Sequence, residues 1–138
     1  MDTTGIIRRL VNRYGTNCPF KLAEHLGIRI FYDDLGKVTR GFYFRKLRRS
    51  YIGIHNALPY ENQRLVCAHE LGHHFLHRGL GYYFIDQNTL FNPGKYEREA
   101  NEFAVTLLLA KDSMQPDETF ESYFKRNGIP SQMIAFYK

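Results

Sequence analysis

Apolar residues recur every three or four positions in several stretches of the chain, a spacing typical of amphipathic helices. The helices that this spacing predicts cover residues 3–14, 20–26, 60–77, 95–110 and 117–126, with a last helical stretch from Pro130. Three stretches rich in β-branched and aromatic residues alternate with a period of two, which predicts strands over 28–32, 40–45 and 51–55. This order is typical of an α+β fold, and we expect a small antiparallel three-stranded sheet packed on helices.

The length of the chain bounds its domain organisation. With 138 residues, the chain is long enough for one hydrophobic core and too short for two. We therefore expect a single domain over residues 1–138. Its predicted parts are N-terminal helices (1–27), the small sheet (28–56), a pair of long helices (57–110) and a C-terminal helical tail (111–138).

Composition narrows the environment and the partners. Hydrophobic residues make up 43% of the chain, and no stretch approaches the ~20 apolar residues of a membrane span. Two cysteines give no disulfide framework, and residues 1–14 lack the apolar core of a signal peptide, so we expect a cytoplasmic protein. The net charge of +5 is spread along the chain, apart from the basic turn at 45–49. We expect neither membrane binding nor direct nucleic-acid binding.

The third predicted helix contains the motif His69-Glu70-x-x-His73. Residues four apart lie on one face of a helix, about 6 Å apart along its axis, so the two imidazoles can ligate one Zn²⁺ from the same side. Glu70 points about 100° away, where it can reach water at the metal without being a ligand. The alternative is a surface helix that happens to carry histidines. Apolar residues on both sides of the motif predict a buried helix, however, and burying these polar groups without a purpose would be costly.

Zinc in a catalytic site needs a third protein ligand. The longer HExxHxxGxxH motif is absent, because Gly79 stands where its last histidine would be. The next helix offers Glu97, and Asn101 lies four residues further on the same face, where it can hydrogen-bond a ligand. Glu102 is a weaker competitor for the same role, and Glu99, about 200° from Glu97, is expected to face solvent.

The two motifs together resemble those of the ImmA/IrrE metallo-endopeptidases. The resemblance is carried by His69-Glu70-Leu71-Gly72-His73-His74-Phe75-Leu76-His77 and by the later Glu97-Arg98-Glu99-Ala100-Asn101-Glu102-Phe103-Ala104 with 107–109. It extends upstream through residues 19–28 and covers about residues 15–110. It implies that His69, His73 and Glu97 bind one Zn²⁺ per chain and that Glu70 is the catalytic carboxylate. It further implies a bacterial or prophage protein that cuts or antagonises a helix-turn-helix repressor.

Two hypotheses from different classes follow. In the first, the protein is a zinc-dependent endopeptidase whose substrate is a helix-turn-helix transcriptional repressor in a phage or mobile element. In the second, it is a metal-containing binding module that antagonises a repressor or another regulator without proteolysis. The presence of Glu70 favours the enzyme, because a pure binder has no need of a carboxylate beside an open zinc position.

Several further residues are candidates for supporting roles. His77 is expected either to support a metal ligand or to face substrate, with a packed structural histidine as the alternative. His74 and Cys67 are expected to be structural. The aromatic-rich loop at 81–94 could shape a substrate pocket. The group that stabilises the oxyanion stays open between Tyr82, Tyr83, Tyr96 and His77.

Overall fold

The fold is that of a computed structural model, which describes residues 2–80, 84–87 and 94–137. In chain order, its helices and strands are α1 (Thr3–Tyr14), α2 (Pro19–His25), β1 (Arg29–Asp33), β2 (Thr39–Lys46), β3 (Arg49–His55), α3 (Tyr60–Leu76), β4 (Phe84–Gln87), α4 (Lys95–Leu108) and α5 (Phe120–Arg126), with 3₁₀ helices at Arg78–Leu80 and Ser131–Phe136. The predicted α+β class is confirmed. None of the helices in these ranges is long and apolar enough to cross a membrane.

The sheet is mixed and has four strands, so the prediction of an antiparallel three-stranded sheet was wrong in its pairing and missed β4, which lies inside the predicted loop at 81–94. The strand order is β1-β3-β2-β4, in which β1 pairs parallel with β3 while β2 pairs antiparallel with both β3 and β4. The reason is burial: β3 contains Ser50, Ile52, Gly53 and Ile54, all buried, whereas β1 is mostly exposed. The most apolar strand, β3, occupies an interior position in the sheet, and β1 pairs with it on the side opposite to β2. Alternation along one strand does not encode this choice of neighbour.

Strands β2 and β3 form the hairpin predicted around the basic turn. Leu47 and Arg48 make the two-residue connection, both with positive φ (51° and 65°), the conformation of the tight turns that match strand twist. The turn sits at the tip of the hairpin, away from the core.

Helix α3 lies between the sheet and α4 and forms the centre of the core. Almost every residue from Leu65 to Leu76 is buried, with Phe75 only partly so. A helix that is apolar on the sheet side and on the α4 side must be covered on both, which explains its central place. Helices α1 and α2 and the C-terminal segments close the core around it, with Ile7, Leu22, Phe124 and Met133 among their buried side chains.

Candidate metal centre

Helices α3 and α4 pack unusually closely, and this closeness builds the site. A Cβ atom added at Gly72 would lie 3.0 Å from the Cα of Ala100 and 3.1 Å from both the carbonyl oxygen of Ala100 and the Cβ of Phe103. Only a residue without a side chain allows the two backbones to approach this far. Because Gly72 lies inside the HExxH motif, the close approach brings α4 directly against the two histidines.

Glu97, in the first turn of α4, contacts both histidines of the motif. Its Oε1 lies 2.9 Å from Nε2 of His69, and its Oε2 lies 3.0 Å from Nε2 of His73. The two imidazole rings meet edge to face, with their centroids 4.9 Å apart. The geometry therefore brings together the three residues that the resemblance named as ligands.

The opposite nitrogen of each imidazole also has a partner. Nδ1 of His69 donates to Oδ1 of Asn101 at 2.7 Å, the contact anticipated from the spacing between Glu97 and Asn101. Nδ1 of His73 lies 2.9 Å from Nδ1 of His77. The second ring nitrogen of His77 lies 2.9 Å from Oε1 of Glu99. Partners of this kind fix the orientation and the tautomer of a metal-binding histidine.

The expectation that Glu99 faces solvent was only partly right. Its side chain is 31% exposed, but it also contacts His77. The reason lies at the end of α3, where His77 is the C-cap residue with φ −128° and ψ 3°. The backbone leaves the helix at this point, and the His77 imidazole meets the first turns of α4, where Tyr96 also packs on it at a centroid distance of 4.8 Å. Sequence spacing on α4 alone could not reveal this contact.

Glu70 is fully buried and lies on the sheet side of α3. A Cβ added at Gly41 of β2 would lie 2.4 Å from Cγ1 of Val66 and 3.4 Å from Oε2 of Glu70. Strand β2 therefore approaches the helix at a glycine, and the carboxylate of Glu70 occupies the space beside it. Glu70 also remains near the histidines, since one donor atom each of His69, Glu70 and His73 lies within 4.8 Å of the other two.

Burial disfavours a charge on His73, whereas the contacts of Glu97 favour its ionised form. Burial lowers the pKa of His73 to about 4, against the opposing effect of Glu97. Burial raises the pKa of Glu97, but its hydrogen bonds to His69 and His73 outweigh this and hold that pKa well below its ordinary range. A neutral imidazole and a carboxylate are the protonation states in which these side chains bind metals.

The donor set fits a divalent cation. With Nδ1 of His69 donating to Asn101, Nε2 is the nitrogen of that ring that faces Glu97. A proton on Nε2 gives a favourable contact with the carboxylate, and a metal ion takes the place of that proton when it binds. Two imidazole nitrogens and one carboxylate, on two rigid helices, are the ligand types and the number that catalytic zinc sites use.

Other predicted residues lie away from these contacts or outside the described ranges. His74 faces the sheet, where it accepts from Nη1 of Arg78 at 3.2 Å and donates to the hydroxyl of Tyr43 at 2.9 Å, as expected for a structural residue. Cys67 is buried, and burial raises the pKa of its thiol well above the ordinary range. Tyr82, Tyr83 and Phe91 of the aromatic-rich loop fall outside the described residues, and so does the pocket predicted from them. Sequence reasoning missed the contact of Glu99 with His77.

An HExxH helix, a carboxylate from the following helix against both histidines and an α+β scaffold are together typical of metallopeptidases. The profile of peptidase family M78, the IrrE N-terminal-like domain, matches residues 23–128, and the chain belongs to this family of metallopeptidases. Two relatives extend the similarity to nearly the whole chain. An uncharacterized immunity region protein 2 of Bacillus phage phi105 is 35% identical over 131 residues, spanning 92% of this chain and 83% of the relative. Metallopeptidase ImmA of Bacillus subtilis (strain 168) is 30% identical over 131 residues, spanning 95% of this chain and 74% of the relative.

Proposed function

We propose that the protein is a zinc-dependent endopeptidase and that residues 1–138 form one peptidase domain. The observation that carries the proposal is the contact of Glu97 with Nε2 of both His69 and His73. In this assignment, His69, His73 and Glu97 hold the metal, and Glu70 is left as the carboxylate that does chemistry. Zinc is the metal of choice because the donor set is two imidazoles and one carboxylate.

The catalytic step is assigned to Glu70. A bound zinc ion supplies Lewis acidity to the scissile carbonyl and to water. Glu70 takes the proton from the attacking water and then delivers it to the nitrogen of the leaving amine. Its burial keeps bulk water away from the carboxylate, and its place beside β2 holds it close to the two histidines on α3.

For the substrate, we propose a helix-turn-helix repressor of a phage or mobile element in a bacterial cytoplasm. The support is the family itself and the names of the two relatives, one a metallopeptidase and the other a protein of a phage immunity region. An extended segment of the substrate could add to the sheet at its β4 edge by backbone hydrogen bonding. Cleavage of the repressor would relieve repression of the genes that it controls.

Glu70→Gln tests this proposal. The amide keeps the size of the side chain but cannot accept the proton, a loss of about 10²–10⁴-fold for a general base. We expect the variant to bind one zinc ion per chain and to co-purify uncleaved with a co-expressed repressor, while the wild type leaves fragments. Glu61→Gln is the matched control, because Glu61 lies exposed in the first turn of the same helix. Full derepression by Glu70→Gln with the repressor intact would instead support the binding module and a structural metal.

A further inference from the structure

A continuous path of contacts leads from His73 to a carboxylate on the outside of the site. Nδ1 of His73 lies 2.9 Å from Nδ1 of His77, and Nε2 of His77 lies 2.9 Å from Oε1 of Glu99. His77 is only 2% exposed, whereas the side chain of Glu99 is 31% exposed. The path therefore runs from a buried ligand candidate, through a buried imidazole, to a carboxylate that reaches solvent.

The positions of the protons along this path can be worked out by starting from Glu99. An ionised carboxylate only accepts hydrogen bonds, so His77 must carry a proton on Nε2 to bond Glu99. In neutral His77, Nδ1 then has a lone pair, and it accepts a hydrogen bond from Nδ1 of His73. Neutral His73 with its proton on Nδ1 has its lone pair on Nε2, which is the atom that faces Glu97.

We propose that His77 and Glu99 are positioning residues that hold His73 in the tautomer and orientation required for metal binding through Nε2. The metal-binding role of His73 rests on the proposed function, but the tautomer itself does not. Asn101 does the same for His69 in one step, since its Oδ1 accepts from Nδ1 of that ring. Helix α4 thus supplies Glu97 to the metal and a support to each of the two histidines.

Glu99→Ala removes the carboxylate that accepts from Nε2 of His77, so the proton of His77 is no longer drawn to that nitrogen. When that proton moves to Nδ1, His77 donates to His73, and the proton of His73 is displaced to Nε2. This atom must be deprotonated to bind a metal, so the displaced tautomer competes with metal binding. Loss of His77 itself removes the ring nitrogen that lies 2.9 Å from Nδ1 of His73. Removal of outer partners of this kind typically weakens metal binding by about 10–100-fold.

The experiment uses the full chain, zinc alone as the probe, and three variants. Zinc affinity is measured by competition with a chromophoric chelator. We expect His77→Phe and Glu99→Ala to weaken zinc binding by about 10–100-fold. Glu99→Gln should lose much less, because the amide oxygen can still accept from Nε2 of His77. Glu102→Ala is the control, since it removes a half-buried carboxylate from the same helix.

A second measurement separates positioning from a merely structural role. Nitrogen-15 NMR of metal-free Glu97→Ala at mildly alkaline pH reports which nitrogen of His73 is protonated when the carboxylate that faces Nε2 is absent. We expect Nδ1 in this background and a shift toward Nε2 when His77→Phe, whose ring keeps the packing against Tyr96, is added. Weaker zinc binding with an unchanged His73 tautomer would overturn the proposal, as would unchanged affinity. If His77→Phe fails to fold, the same two measurements are made on Glu99→Ala. A wild type that binds no zinc would refute the proposed function, and the NMR result would still decide the tautomer of His73.

Discussion

Gly72→Ala tests whether the close contact of α3 and α4 controls the site. The added methyl group would lie 3.0–3.1 Å from the backbone of Ala100 and the Cβ of Phe103, where ordinary contacts are 3.4–4 Å. Two of these three atoms belong to backbone and cannot rotate away. Helix α4 must therefore retreat by a few tenths of an ångström, taking Glu97 and Asn101 with it.

The effect on stability is a difference of two opposing contributions. Alanine in place of glycine in a helix interior stabilises by about 1 kcal/mol. Forcing a methylene-sized group into a packed core costs about 1–3 kcal/mol. The net expectation is a destabilisation of ~0–2 kcal/mol in the metal-free protein. At this chain length, that corresponds to a melting temperature lower by up to about 8 °C.

The effect on zinc binding should exceed the effect on folding. Metal–ligand distances tolerate deviations of only about 0.2 Å, comparable with the expected retreat of Glu97. We expect zinc affinity to fall by about tenfold, the lower end of what disturbed outer contacts cost. The assay measures melting temperatures with chelator and with zinc, and zinc affinity by competition titration, for the wild type, Gly72→Ala and Gly79→Ala. Gly79→Ala is the control, because no atom of the described residues lies within 4 Å of its added Cβ.

One result would refute this reasoning. If Gly72→Ala melts about 4 °C above the wild type and binds zinc equally well, the helix preference of alanine has acted unopposed. The two helices would then not be limited by backbone contact at this residue, and the spacing between Glu97 and the histidines would have another cause.

Two further predictions concern the ligand set and the C-terminal segment. Glu97→Ala should abolish the binding of one zinc ion per chain, and with it the rise in melting temperature that zinc binding gives to the folded protein. Glu102→Ala should keep both. The reverse pattern in metal analysis would show that the ligand on α4 is misassigned. In the C-terminal segment, Arg126 donates to Glu118 and lowers the pKa of that carboxyl to about 2 from its ordinary 4.5, so its stabilising contribution is present above pH 4.5 and is lost as the pH falls toward 2. The difference in melting temperature between the wild type and Glu118→Gln should therefore shrink across this interval, and a gap independent of pH would contradict the assignment.

The parts of the site that could be predicted depend on local geometry. His69 and His73 share a face of α3 because four residues make about one turn, whatever the rest of the chain does. The pairing of Glu97 with Asn101 follows from the same spacing, once a third ligand is required. These relations are contained within a single helix, and a sequence shows them directly.

The parts that could not be predicted depend on how elements meet. The contact between Glu99 and His77 exists because α3 ends at His77 and because Gly72 admits α4 closely. The parallel pairing of β1 with β3 reflects competition among strands for the interior of the sheet. Such choices are settled by packing between distant segments, and periodicity along one segment carries no record of them.

The place of β4 in the chain has a consequence for how proteins of this kind can diversify. The chain passes through β4 after it leaves α3 and before it enters α4, so the strand at the end of the sheet is encoded between the two helices that build the site. In the sheet, Asp86 of β4 pairs with Gly41, the residue beside Glu70. Substitutions in β4 therefore alter the outer edge one strand away from the buried carboxylate while the spacing inside each motif stays intact. Recognition of new partners could evolve in this strand with the chemistry unchanged.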